Sequence, residues 1–523
     1  MSAVSLRALA RSSAYVNAAT VWQMASRLVL TPVIITTLGV DGYGAWALIF
    51  SLCSYAMALD NAAGWVYAKL TAELDQQGDY TSLSEGISSG LVLVGGAAIA
   101  GLVVLWLARG WILPLVGVPP PLLLETEATL GVLAVAVAFE ASAGGVLDVL
   151  AGLQRMDLEY RFLIFGAVAE FVTALVLLSA GVGMASLAVG VLVREVVSIG
   201  TAWGCCRRLR PMIVLSPRRA SVRGVTQVVH LGMRFQSLVL VHTTLREGTR
   251  LLISGFYGTT ALGFFHLADR LLSVARAPGL AIVSPLMPAF ANLGSSERPP
   301  QWRRLFVRAS TVLGLAAALP LFFAAVFAGP IVFGWTGQYF PDAAWTARVF
   351  VPMEFVALMM AVAAARLRAA GIVRLELTSG VIGSVLATAG LIAAYPFAGY
   401  AGSVVGVAGG RTVGALWFLM RFLSMQRVDR WRYMRKAVLA PVLVCAPICL
   451  LFGAIAFHLP VLNVGEAGRW TVLVALAVLA LACALTCVPA AWYLVLSARE
   501  RGGIVRLVRR HQAARACAMR NPR

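Results

Sequence analysis

The sequence predicts an all-α polytopic membrane protein of about 14 transmembrane helices, built as two pseudo-symmetric six-helix lobes plus two C-terminal helices. Three observations carry that reading. Of 523 residues, 60% are hydrophobic and only 13% charged, a balance that excludes an ordinary soluble enzyme. Apolar runs of roughly 20 residues, enough for a helix to cross about 30 Å of hydrocarbon, recur from Val16 to the region of Ser497. The glycine-rich turn "LGVDGYGAWAL" (38–48) returns in related form 219 residues later, at "YGTTALGFFHL" (257–267).

In chain order the expected spans are 16–38, 43–68, 88–108, 128–152, 162–181, 184–204, 230–255, 260–288, 308–332, 344–365, 375–395, 399–423, 437–459 and 470–497. Alternating polar and apolar segments of the kind that build a membrane barrel are absent. Arg7 and Arg11 precede an apolar run longer than a signal peptide, so the first span is read as retained.

The connections test the count. With the N-terminus cytoplasmic, the strongly basic stretches 205–224, 297–308, 366–374, 421–436 and the tail from Arg499 all fall inside. Connections near 39–42, 181–183, 256–259, 333–343, 396–398 and 460–469 then fall outside and carry almost no Lys or Arg, Arg469 being the exception. That asymmetry is the positive-inside pattern, and it places both termini in the cytoplasm. It also accounts for the net charge of +20 without a nucleic-acid partner. The basic loops are read as setting orientation and touching anionic membrane lipids.

Within the first turn, Gly39, Gly42 and Gly44 are expected to reverse the chain in few residues, with Asp41 capping the second span. Its second copy aligns Gly39 with Gly258 and Gly44 with Gly263. Both copies join the first two spans of a six-span block, and six is even, so the halves share one orientation. The expected organisation is an N-lobe over 1–204, a basic linker over 205–229, a C-lobe over 230–424, spans 13 and 14 over 425–498, and a basic tail over 499–523.

About eight basic and eight acidic residues lie inside the spans, so the excess charge belongs to loops and ends. Each intramembrane charge costs several kcal/mol unless it is paired or hydrated, which implies a polar interior. The 219-residue shift carries Arg27 in span 1 onto Arg246 in span 7. Arg246, Arg250 and His242 share one face of span 7, the best cationic stripe in the chain. Arg270 and Arg411 lie within spans 8 and 12. Glu247 and Arg250, three apart, can pair along one face, whereas the neighbours Arg194/Glu195 and Asp269/Arg270 are expected to pair with other spans. Asp60 either neutralises Arg27 or, with Glu140, carries a coupling proton or sodium ion. Gly402, Gly406, Gly410 and Gly414 form a small-residue packing stripe.

The eight cysteines show no CxxC and no histidine at metal spacing. Cys445/Cys449 and Cys483/Cys487 are read as small residues on helix faces rather than as a disulfide or metal site, and no cofactor is expected.

With the arginine in span 1, the "LGVDGYGAWAL" turn, "VLAGLQRMDLEYR" after span 4 and "GTTALGFFHLADRL…SPLMPAFANL" (259–293), the sequence resembles the Wzx-type polysaccharide flippases. These belong to the multidrug/oligosaccharidyl-lipid/polysaccharide (MOP) exporter superfamily, with the lipid II flippases and the MATE antiporters. The resemblance implies a non-enzymatic protein of the bacterial inner membrane that moves polyprenyl-diphosphate-linked oligosaccharide by alternating access. It implies a cationic cavity for the diphosphate, for which the matching residues are Arg27 and Arg246, helped by Arg250, Arg270 and Arg411. It implies a functional link with polysaccharide polymerase and export machinery, and in some relatives a lipid-tail groove at the two extra spans. Alternatives are a lipid II-type flippase, a MATE-like cation-coupled drug antiporter and a membrane enzyme. The last lacks an outside loop with catalytic residues, an HExxH or a Walker A sequence.

Overall fold

The computed structural model describes residues 6–283, 286, 290, 299–370, 372, 374–458, 468–495 and 501. Most of the 460–469 connection, the expected ends of spans 8, 13 and 14, most of "SPLMPAFANL" and the tail apart from Arg501 lie outside these residues, as does the side chain of His242. Among the described residues every regular element is helical. Eleven helices are long and apolar enough to cross a membrane. Three of them, Leu6–Gln77, Val222–Val283 and Arg374–Met425, contain a non-helical glycine, at Gly39, Gly258 and Gly399. Among the described residues, eight lengths taken whole and three that divide at a non-helical glycine give 14 helical segments.

Span 1 is thus 6–38 and span 2 is 40–77. Span 3 is Tyr80–Leu107. Span 4 runs from Leu123–Ala143 through a break at Gly144 into Gly145–Gly152. Span 5 is Met156–Ser179 and span 6 Ala185–Leu209. Spans 7 and 8 are 222–257 and 259–283. Spans 9 and 10 are Pro299–Val326 and Pro341–Ala369. Spans 11 and 12 are 374–398 and 400–425. Span 13 opens at Arg430, passes a π-helical segment at Met434–Leu439 and continues as Ala440–Phe457; span 14 is Arg469–Leu494.

The 219-residue shift holds well beyond the turn that suggested it. It carries Tyr80–Leu107 onto Pro299–Val326, end to end. It carries the start of the short helix Arg109–Leu115 onto that of Ala328–Thr336. The two turn glycines share a backbone conformation, φ 71°, ψ 175° at Gly39 and φ 81°, ψ 175° at Gly258. Such a positive φ is strained for any residue with a Cβ. Gly42 and Gly44, expected to help the reversal, are helical; Gly39 alone makes this turn.

Gly44 has a different task. A Cβ there would lie 1.8 Å from the carbonyl oxygen of Thr259, and one on Gly263 would lie 2.7 Å from that of Val40. The shift equates Val40 with Thr259 and Gly44 with Gly263, so the two copies pack on each other reciprocally, backbone against backbone. Asp41 meets its own equivalent: its Oδ1 accepts a hydrogen bond from Thr260 Oγ1. The bond joins the two motifs, correcting the expected local cap. Alongside, the Tyr43 hydroxyl and His266 Nδ1 are 2.7 Å apart.

By internal packing the chain divides into Met1–Leu267 with Leu391–Ser403, and Ala268–Gly390 with Val404–Arg523. The first unit has a core that includes Leu48, Ile49, Tyr67, Leu133 and Val149. Its basic connection 210–221 docks on a serine row of span 3. Ser84, Ser88 and Ser89 accept from the backbone N–H groups of Val214, Ser216 and Ser221 at 3.1, 3.1 and 2.9 Å. These bonds supply partners for irregular backbone that helical bonding does not reach. Arg210 adds a two-pronged pair with Asp75, at 2.9 and 3.3 Å. That pairing holds the Asp75 carboxylate and the Arg210 guanidinium in their charged forms.

In the second unit Phe306 of span 9 stacks on Tyr433 of span 13, centroids 5.3 Å apart. Arg469, the exception to the charge asymmetry, donates to the carbonyls of Gly334 and Trp335 at 3.0 and 2.6 Å. Those carbonyls end the short helix Ala328–Thr336, where a cation is favoured. In the glycine stripe, Gly406, Gly410 and Gly414 close on span 11 at Gly390, Leu386/Ala387 and Gly383. A methyl at Gly414 would sit 2.6 Å from Gly383 Cα.

Gly44→Ala is expected to lower stability by about 1–3 kcal/mol through overpacking, whereas Gly96→Ala in span 3, where an added Cβ meets nothing within 4 Å, is expected to be tolerated. Melting curves of the purified variants in detergent check this; equal melting temperatures would remove the reciprocal glycine contact from the account.

Candidate functional site

Span 7 places Arg246 and Arg250 one turn apart, with Glu247 between them. Glu247 is 1% exposed, and three donors converge on its carboxylate. Arg246 Nε reaches Oε1 at 2.8 Å, while Arg250 Nη1 and Ser51 Oγ reach Oε2 at 2.9 and 2.7 Å. Ser51 belongs to span 2, so the carboxylate also ties that span to span 7. The two arginines differ in exposure: the Arg250 side chain is 12% exposed and the Arg246 side chain 67%. Glu247 is shared by the two arginines, and the Arg246 guanidinium is the open end of the cluster. A guanidinium with donors to spare can bind a phosphate oxygen pair in a forked geometry and does not lose its charge.

Arg27 lies in the same unit, exposed on span 1. Its carbonyl accepts from Thr31 Oγ1 at 2.7 Å, just before Pro32, which brings no N–H to the helix. Arg270 and Arg411 lie in the second unit and are half-buried. The ion pairs of that unit centre instead on Glu354 of span 10, which takes Arg276 Nη1 at 2.9 Å, with Asp269 4.0 Å from the same nitrogen. Arg411 acts on Glu354 electrostatically. The structure therefore brings Arg246 and Arg250 together, and it adds Arg276 and Glu354, which sequence reasoning had counted but not singled out.

The first unit also holds carboxylates. Asp60 Oδ1 and Glu140 Oε2 are enclosed and have no hydrogen-bond partner. Asp60 sits beside the break in span 4, where a Cβ on Gly144 would be 3.7 Å from its Oδ2. One turn along, Asp148 packs on Gly64 of span 2, its Oδ1 2.6 Å from where a Cβ would be. The electrostatic neighbours that bear on Asp60 are Asp148 and Glu195, both acidic. Arg194 is bound to Glu170 at 3.2 Å and to the adjacent Glu195 at 2.5 Å. Arg194 thus pairs with another span, as expected, through Glu170 on span 5, and its long side chain also folds back to its neighbour Glu195.

Glu247→Ala, which strips two arginines of their buried partner, is expected to cost about 3–5 kcal/mol. Glu247→Met combined with Arg250→Met is expected to recover most of that loss. A melting series checks both; a single variant as stable as the parent would show that Glu247 does not hold the site.

A family model described as "Polysaccharide biosynthesis protein" matches residues 122–344. No curated protein sequence matches the chain. Among solved structures, the lipid II flippase MurJ in an inward closed conformation superposes with a TM-score of 0.68 at 11% identity, over 91% of this chain and 98% of that one. An inward-facing MATE family multidrug resistance transporter of the MOP superfamily gives 0.65 at 14% identity, over 79% and 96%. A Vibrio cholerae MATE transporter gives 0.57 at 15% identity, over 82% and 98%. These similar structures are transporters and share the all-α polytopic fold derived above. The chain is thus a multipass membrane protein with the fold of these transporters, and over residues 122–344 it is similar to a polysaccharide biosynthesis family.

Proposed function

We propose that the protein flips a polyprenyl-diphosphate-linked oligosaccharide across the bacterial inner membrane by alternating access, for assembly of a surface or exported polysaccharide. Its termini are cytoplasmic, and it breaks or forms no covalent bond in its cargo. The observation that carries the reading is the arginine cluster on span 7, in which buried Glu247 orients Arg246 and Arg250 and leaves the Arg246 guanidinium open. Arg27, its counterpart under the 219-residue shift, supplies a second cation from span 1; Arg270 and Arg411 supply further positive charge to the moving head group. The match to a polysaccharide biosynthesis family and the likeness to a lipid II flippase fold support a lipid-linked anionic cargo.

The enclosed carboxylates favour a coupling role within the same proposal. An ionised carboxylate without a partner is costly in a low-dielectric interior, so proton uptake at Asp60 and Glu140 lowers that cost and release restores it. The same carboxylates are what a drug antiporter would use, and this is the second reading. A cationic drug, however, gains nothing from the arginines of span 7.

In proteoliposomes carrying a fluorescent lipid-linked oligosaccharide, Arg246→Ala and Arg27→Ala are each expected to slow transfer at least ~10-fold, equivalent to about 1.4 kcal/mol, while the protein still inserts. Unchanged transfer in both variants would refute the assignment. Collapsing the pH gradient is expected to slow the parent but not Asp60→Asn or Glu140→Gln. Efflux of a cationic dye, with no oligosaccharide transfer, would decide for the antiporter.

A further inference from the structure

Beside a tight crossing of spans 3 and 4, the first unit leaves a space that its own side chains do not fill. At that crossing a Cβ on Gly95 would lie 2.6 Å from Ser142 Oγ. One residue on, a Cβ on Gly96 would meet nothing within 4 Å. Gly96 opens into a chamber of about 360 Å³, with Ser88, Val92 and Ile99 of span 3 along one wall, Ser142 of span 4 and Trp203 of span 6 on others, and residues 215–217 of the basic connection at the Ser88 end. Val92 and Ile99 are 44% and 45% exposed, so the chamber is open on the side where a membrane span meets hydrocarbon. From Ser88 to Ile99 the wall is about 16 Å long at 1.5 Å per residue. That is half of a hydrocarbon core of about 30 Å, the depth reached by a chain from one leaflet.

The end at the basic connection has a different character. A second chamber of about 300 Å³ shares Trp203 and Leu215 with the first and is lined also by Arg207, Pro211 and Val214. Arg207 lies one turn beyond Trp203, its guanidinium carbon Cζ 5.2 Å from the centroid of the indole. A guanidinium laid over an aromatic face keeps its in-plane N–H donors for a second partner. A tryptophan near the end of a span marks the level of the lipid head groups. The stretch 205–224 holds six arginines and no Asp or Glu. The neighbouring carboxylates that this stretch touches are already engaged, Asp75 by Arg210 and Glu85 by the Ser221 hydroxyl. This end therefore suits an anion, and the chamber along span 3 suits a hydrocarbon chain. Inorganic phosphate would leave the apolar chamber unfilled, and a choline head group would set a cation against the arginines.

We propose that the two chambers form a binding site for one anionic diacyl phospholipid, its phosphate held by Arg207 over Trp203 and one acyl chain lying along span 3 beside Gly96. The bound lipid joins the connection 210–221 to spans 3, 4 and 6 and adds to the hydrogen bonds that already dock this connection on Ser84, Ser88 and Ser89.

The full-length protein, purified in detergent and stripped of lipid, is mixed with phosphatidylglycerol or with phosphatidylcholine of matched chains, and bound lipid is counted by native mass spectrometry. The parent is expected to bind one phosphatidylglycerol at least ~10-fold more tightly than phosphatidylcholine, as charge-assisted contacts to an anion require. Arg207→Gln keeps the chamber and removes the guanidinium, and is expected to weaken phosphatidylglycerol binding at least ~10-fold. Gly96→Phe keeps every charge and fills the chamber, and Ile99→Trp blocks it from its exposed rim; each is expected to weaken binding at least ~10-fold by excluding the chain. Arg223→Gln removes the same charge from the same connection but lines neither chamber, and is expected to bind as the parent does. Equal affinity of the parent for the two lipids, parent-like binding by both chamber-blocking variants, or equal losses in Arg207→Gln and Arg223→Gln would overturn the proposal. Displacement of the lipid by an equal concentration of glycerol phosphate would also overturn it, because the head group alone would then account for binding.

Discussion

A carboxylate with almost no exposed surface, Glu247, is what holds Arg246 and Arg250 one turn apart on span 7. It offsets one of their charges, orients both guanidinium groups and takes a third hydrogen bond from Ser51 on span 2. Removing it would take from Arg250, at 12% exposure, a buried counter-charge where burial of an ion is costly. The open position of the Arg246 guanidinium is a consequence of that arrangement.

The backbone obeys a parallel constraint. In a bilayer every N–H and C=O must be satisfied by protein or by water, and the chain reverses at Gly39, Gly258 and Gly399 with scarcely a loop. Two of those turns are copies, and they use each other as partners. Gly44 and Gly263 are small because the carbonyls of Thr259 and Val40 lie where their Cβ atoms would be, and Asp41 is bonded to Thr260. An internal repeat thereby becomes a self-complementary contact, as in a symmetric dimer interface, with both halves on one chain.

Much of this was legible in the sequence. Hydropathy reports a property of each residue summed along a helix, and so each of the 14 expected spans falls on a helix among the described residues. The 219-residue shift, drawn from a few glycines, holds for the ends of spans 3 and 9. Helical periodicity sufficed for Glu247 with Arg250, which are neighbours along one helix. What could not be read was choice of partner across the fold. The Ser51 bond to Glu247, the docking of 210–221 on Ser84, Ser88 and Ser89, and Arg469 capping a helix 135 residues away depend on which spans pack and in what register.

The central claim is that the span 7 arginines recognise a diphosphate. It is tested most directly by measuring how tightly the unmodified protein, in lipid nanodiscs at fixed salt, binds a short-chain polyprenyl diphosphate and the matching monophosphate. Charge-assisted contacts to the second phosphate should make the diphosphate bind at least ~10-fold more tightly, about 1.4 kcal/mol. Equal affinity for the two lipids would contradict the account.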